Sequence, residues 1–357
     1  MEFIKTRKNL ILAGLIVGLV AACLALLGNP GNMAFCIACF VRDTAGAMKM
    51  HNAQVVQYVR PEIIGIVIGA FAISVYNKEF RSTAGSSPMT RFVLGMILMI
   101  GSLIFLGCPL RMVIRMAAGD WNAWIALIGF AAGVFTGTLY LKRGFSLGRA
   151  HYTNPSAGAV PAGLMAAIFA LSFTGIMVYS QKGPGSMHAP IWIALAGGLL
   201  VGIVAEKSRM CFAGALRDIF LIKNFDLFSI VATMFAVLLV FNLATGRFNP
   251  GFTGQPVAHA QQLWNILGMY AVGFAAVLAG GCPMRQLVLS GRGSGDSGVC
   301  VLGMFVGAAL AHNWNLAAAP ATAESLGGPS LNGKIAAIVC IILCFVIATV
   351  NKRNQDK

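Results

Sequence analysis

Two stretches of the chain place a cysteine between helix breakers and a basic side chain. Residues 107–111 read Gly-Cys-Pro-Leu-Arg and residues 281–285 read Gly-Cys-Pro-Met-Arg. Proline is favoured at the first position of a helix, so Cys108 and Cys282 are predicted N-cap residues. A thiol there meets free backbone N–H groups, the positive end of a helix dipole and an arginine, Arg111 or Arg285. Those conditions favour thiolate character and attract anions. The chemistry they suit is a polarised thiol meeting a small anion.

A second pair of stretches adds three more cysteines. "CIACFVRD" (36–43) carries Cys36, Cys39 and then Arg42-Asp43, and "CFAGALRD" (211–218) carries Cys211 and then Arg217-Asp218. In a soluble protein the Cys36/Cys39 spacing would suggest a redox pair or half of a zinc site. Charges at membrane depth must pair, so Arg42-Asp43 and Arg217-Asp218 are read as structural ion pairs. Arg111 and Arg285 have no adjacent acid, and anion attraction competes with snorkelling as their role. The five histidines (His51, His151, His188, His259, His312) are scattered without ligand spacing to a cysteine, so no metal and no cofactor is expected. Cys23, Cys300, Cys340 and Cys344 stand in apolar stretches without neighbouring charge and are expected to be packing residues. No P-loop, Rossmann glycine pattern or Ser/His/Asp arrangement is present, and the chain does not read as an enzyme.

The elements that hold these residues come in two copies. Cys108, Pro109 and Arg111 align with Cys282, Pro283 and Arg285 at an offset of 174, as do Gly129 and Gly133 with Gly303 and Gly307. Cys36, Arg42 and Asp43 align with Cys211, Arg217 and Asp218 at 175; Cys39 falls opposite Gly214. The chain is 58% hydrophobic and 10% charged, with a mean hydropathy of +0.79, which excludes an ordinary soluble domain. Ten apolar blocks of membrane-crossing length are read at about 9–28, 61–77, 91–106, 122–141, 160–181, 190–206, 225–245, 261–279, 297–316 and 333–351. The first block is long and lacks a clear cleavage site, so it is read as a spanning helix rather than a signal peptide.

Five blocks per copy put the second copy upside down in the membrane. The expected fold is therefore an all-α polytopic membrane protein of two inverted five-helix repeats, 1–182 and 183–357, forming one membrane domain. The polar, breaker-rich stretches 29–60 and 107–121 are read as re-entrant or broken helices, tolerated at depth where they line a cavity. In this topology the first copy's stretches dip in from outside and the second copy's from the cytoplasm, converging on the membrane centre. With both termini cytoplasmic, eighteen of the 26 Lys and Arg lie inside and eight outside, as the positive-inside rule requires. The net charge of +15 is thereby explained without a nucleic-acid partner.

"GCPLR", "GCPMR" and "SRMCFAGALRD" resemble the YeeE/YedE family of bacterial membrane transporters, a likeness that runs over nearly the whole chain. The resemblance implies an hourglass of two pseudo-symmetric inverted halves in the inner membrane, with thiosulfate handed along axial cysteines by S–H···S contacts. Cys108 and Cys282 match the family's Gly-Cys-Pro cysteines, and Cys211 matches the cysteine of its Arg-x-Cys-Phe stretch. The first motif, "NPGNMAFCIACFVRDTAG", departs and looks more like the YedE branch, associated with selenium metabolism. The implied cargo is then a small selenium-containing anion, with thiosulfate or a related sulfur species as the alternative. A small cytoplasmic sulfur-carrier protein of the TusA type is the implied partner. Two other readings stand beside this one: a membrane thiol–disulfide oxidoreductase using Cys36 and Cys39, and a channel or scaffold serving a separate redox complex.

Overall fold

Five helices begin on a proline, where the missing N–H costs nothing and φ is already set for the first turn. The computed structural model describes residues 7–352. Lys5, Arg353 and Lys357 of the charge reading lie outside the described residues. The helices are α1 Arg7–Leu26, α2 Ile37–Ala47, α3 Pro61–Tyr76, α4 Pro88–Phe105, α5 Pro109–Ala117, α6 Trp121–Lys142 and α7 Pro155–Leu171. There follow α8 Ile191–Ser208, α9 Phe212–Ile222, α10 Asp226–Ala244, α11 Gln262–Ala279, α12 Pro283–Gly291, α13 Gly295–Asn313 and α14 Leu331–Val350. The strands among the described residues are two dipeptides, β1 Thr83–Ala84 and β2 His151–Tyr152, paired antiparallel.

Among the described residues eight segments, beginning with α1, α4, α6, α8, α10, α11, α13 and α14, are long and apolar enough to cross a membrane, and α3 and α7 are shorter apolar helices. Ile11, Leu19, Ile128, Trp192, Val240 and Leu302 are exposed on these helices, as lipid-facing side chains are. The chain is an all-α polytopic membrane protein.

One expected block ends early. The apolar stretch 160–181 yields α7 only as far as Leu171. Beyond it the chain turns through Gly175, at φ +75°, and lies over the first re-entrant stretch, with Val178 N–H bonded to Ala47 O and Ser180 N–H to Gln57 O. Neighbouring loop carbonyls satisfy this backbone, so hydropathy alone does not keep it helical.

The two short helices stand second and fifth in α1–α7 (20, 11, 16, 18, 9, 22 and 17 residues) and again in α8–α14 (18, 11, 19, 18, 9, 19 and 20). The closest packing is between the two sets: α6 on α11, α3 on α8, α4 on α13 and on α11, and α1 on α10. Glycines make these crossings close. A side chain on Gly129 or Gly133 of α6 would collide with the carbonyls of Ile266 and Tyr270 on α11, and one on Gly303 of α13 with Phe92 O on α4. Gly198 and Gly202 of α8 stand in the same way against Glu62 and Ile66 of α3. Small residues four apart let backbones touch, which is how membrane helices associate without a hydrophobic driving force.

The loops gather at two ends. At one, Arg81 N–H bonds Arg292 O, Thr153 N–H bonds Ser82 O and Ser146 N–H bonds Asn351 O. At the other, Ala260 N–H bonds Leu326 O, Asn249 N–H bonds Ala118 O and Arg247 reaches Ala25 O.

Candidate functional site

All four short helices, α2, α5, α9 and α12, are capped by a cysteine. Cys36 and Cys211 cap with their sulfur: Cys36 Sγ accepts from Cys39 N–H at 3.3 Å, and Cys211 Sγ accepts from Gly214 N–H at 3.2 Å. Sulfur here takes the place of the oxygen that Ser or Asp would offer to the third helical N–H. Cys108 and Cys282 precede proline and make no such side-chain cap. Their thiols turn instead to the other pair.

The Cys36 thiol donates to Cys108 Sγ at 3.9 Å, and Cys211 and Cys282 stand beside each other in the second set. Two helix N-termini therefore converge on each thiol pair, α2 with α5 and α9 with α12. All four cysteines are buried. The structure brings the predicted cysteines together two by two, while α2 touches α12 and α5 touches α9 across the repeat.

Arg111 does not snorkel to the surface. It is fully buried and its donors go to backbone carbonyls: Nε to Asn32 O at 2.8 Å, Nη2 to Pro256 O and Val257 O at 3.3 and 3.2 Å, and Nη1 to Leu106 O. Nη1 also lies 3.5 Å from Cys39 Sγ. Among the described residues it forms no ion pair, so its charge stands beside the cysteines uncancelled by a carboxylate. Arg285 finds an acid that its own stretch lacks: Glu206 of α8 bonds it at 3.2 Å and Arg292 at 3.1 Å.

The predicted ion pairs form, Arg42–Asp43 at 2.6 Å and Arg217–Asp218 at 2.8 Å. Asp43 also accepts from Arg60 at 2.8 Å, the last residue of the stretch read as re-entrant. Arg60 in turn donates to Met187 O and Pro184 O, tying α2 to the stretch after α7. A further buried pair, Arg115–Asp120 at 2.6 Å, was equally unforeseen. Each cluster, Arg42–Asp43–Arg60 and Arg285–Glu206–Arg292, keeps one excess positive charge. Of the remaining cysteines, Cys300, Cys340 and Cys344 are buried in helices, whereas Cys23 is exposed on α1 and faces outward instead of packing.

A cavity of about 800 Å³ is lined by Pro184, 252–257, Ala260 and 320–326. Pro256 and Val257 line it, and their carbonyls are among those that hold Arg111. A second cavity of about 340 Å³ borders Asn32, Ala34, Arg247 and Pro256. His259 pins this roof: Nε2 bonds Ile104 O at 2.8 Å and Nδ1 accepts from Gln261 N–H at 3.3 Å. Burial pushes its imidazole down to about 4, so it serves as a neutral bridge near pH 7.

Residues 1–136 and 207–357 match the family model for sulphur transport. Among curated proteins, the thiosulfate transporter TsuA of Spirochaeta thermophila is 32% identical over 108 residues, 29% of this chain and 31% of that protein. The thiosulfate transporter TsuA of Escherichia coli K12 is 29% identical over 111 residues, 30% of each. The chain thus spans a little under a third of the length of the curated relatives it matches. The family match takes in well over half of the chain, including all four capping cysteines, although the pairwise likeness to TsuA is confined to a short stretch. The chain belongs to the sulphur-transport, or YeeE/YedE, family.

Proposed function

We propose that this protein is an inner-membrane transporter that carries a small sulfur- or selenium-containing anion inward, with both termini in the cytoplasm. The observation that carries the reading is the meeting of two helix N-termini at each of two buried thiol pairs. An anion leaving water needs replacement donors, and converging helix starts supply N–H groups without a mobile counter-ion. The thiols add soft S–H donors suited to a polarisable sulfur or selenium atom. Hand-over by hydrogen bonds breaks no covalent bond and moves no electrons.

In this reading the anion collects in the outer cavity under the charge of Arg111 and of the Arg42–Asp43–Arg60 cluster, then meets Cys36 and Cys108. It passes to Cys211 and Cys282 and leaves past Arg285 and Arg292. The two seven-helix sets are taken as inverted halves, 1–182 and 183–357, which gives the two thiol pairs opposite faces of the membrane. The names of the curated relatives favour thiosulfate; the stretch 29–46 is what favours a selenium species. A TusA-like carrier would receive the cargo at the basic cytoplasmic end.

Uptake of labelled thiosulfate, selenite, selenosulfate and sulfite by cells lacking their own copy tests this. Cys108→Ala and Cys282→Ala are each expected to abolish uptake of the preferred anion, with Cys→Ser retaining part of it. Undiminished uptake in both alanine variants would remove the cysteine pathway. The oxidoreductase reading rests on the Cys36/Cys39 spacing, but both residues are 0% exposed, out of reach of a protein dithiol. Thiol trapping that finds the pair cycling to a disulfide in cells would revive it.

A further inference from the structure

Glu62 is a buried acid that the pathway does not use. It stands in the first turn of α3, 1% exposed. Its Oε1 accepts from Asn29 Nδ2 at 2.8 Å, whereas Oε2 is buried without a hydrogen-bond partner. Among the described residues it belongs to no ion pair. The charged groups around it are committed elsewhere. Arg60 is spent on Asp43 and two carbonyls, and Asp43 of α2 is held between Arg42 and Arg60. The Tyr58 ring is stacked on His188 at 4.2 Å, and its hydroxyl is itself an orphan. The side chains of α7 include no titratable group, those of α8 are Glu206 and Lys207 in its last turn, and Arg285 and Arg292 at α12 are held by Glu206. Burying a carboxylate without a paired cation is costly, and taking up a proton removes that cost.

What Glu62 holds gives the proton a consequence. The same Asn29 amide that bonds Glu62 also donates to Ala34 O at 2.7 Å, and Asn29 Oδ1 accepts from Ala189 N–H at 2.8 Å. The stretch 29–35 leads directly into Cys36. It is strained: Asn32 and Ala34 sit at φ +53° and +23°, conformations that a non-glycine residue keeps only where the surroundings enforce them. Asn29 and the Arg111–Asn32 bond are what enforce them here.

We propose that Glu62 is a proton-binding site that controls the Asn29–Phe35 loop in front of Cys36, so that acid on the outer side admits the anion. Ionised, the carboxylate makes a charge-assisted bond that clamps Asn29 and sets a negative charge beside the way in. Protonated, it holds Asn29 through a neutral, weaker bond and the negative charge is gone. Both effects favour anion uptake at lower pH. The step is proton binding alone, with no redox partner.

The influence on uptake rests on the transport reading, so two measurements are needed. Infrared difference spectra of the purified protein are expected to show a buried carboxyl C=O band that titrates with pH and vanishes in Glu62→Gln. In proteoliposomes, thiosulfate uptake is expected to rise as external pH falls, by up to about tenfold per unit for a single proton. Glu62→Gln should be fast and flat across the same range. A band unchanged by the substitution overturns the proposal, as does a Glu62→Gln profile that still follows pH. If Glu62→Gln does not purify, Glu62→Asp must shift the midpoint of the band, and an unmoved midpoint is equally fatal. A titrating Glu62 band with no uptake of any tested anion at any pH would sink the transport reading and leave the proton site standing.

Discussion

At the scale of the residue, the repeated cysteines divide into two kinds that composition does not separate. Cys36 and Cys211 spend a lone pair on their own helix; Cys108 and Cys282 do not, and the Cys108 sulfur accepts from Cys36 instead. Cys39 is different again. It occupies the position of Gly214, and what the cap needs there is the backbone N–H, which any residue but proline supplies. Cys39→Gly should therefore retain uptake within a few-fold while losing the sulfur beside Arg111. Radiolabel uptake with thiosulfate and selenite compared side by side would show whether Cys39 sorts between them; loss of both would make it a member of the pathway. Much of this was legible in advance, since Gly-Cys-Pro announces a capped helix start. The acids were not. Asp43 advertised Arg42 beside it but not Arg60, and Glu206 lies 79 positions from Arg285, a distance only the fold closes.

At the scale of the element, the four short helices were readable from their breakers, and the long ones from hydropathy. The end of α7 was not, because a continuous apolar run hides the point where a loop becomes able to satisfy its own backbone. The repeated Gly129/Gly133 and Gly303/Gly307 were visible as a pattern, and their purpose is the backbone contact of α6 on α11 and of α13 on α4. Gly133→Val and Gly198→Val should each force a crossing apart and cost about 1–3 kcal/mol or more. Gly163→Ala on α7, with nothing within 4 Å of the added methyl, should be neutral or stabilising by up to about 1 kcal/mol. Thermal unfolding in detergent separates the two outcomes, and equal melting temperatures for all three would discount the close crossings.

At the scale of the whole molecule, the basic residues sort by end. Lys142, Arg143 and Arg292 lie at the end joined by β1 and β2; Lys49, Lys182 and Lys334 belong to the other. An impermeant maleimide should label Lys182→Cys on intact cells and Arg143→Cys only after permeabilisation, both sites being exposed. Native thiols leave a low background, since all but Cys23 are buried. The opposite labelling pattern would place both termini outside.

The interleaved packing also bears on how the protein is made. The tightest helix pairs each join one helix before residue 182 to one after it, so the first seven helices leave the ribosome with their glycine-lined faces uncovered. Until α11 and then α13 have been synthesised, α4 lacks the two helices against which it settles. Biosynthesis thus contains a waiting period in which half a bundle sits in lipid with its grooves open. A chain truncated after α7 should be degraded rather than accumulate, and co-expression of the missing half as a separate polypeptide should rescue it.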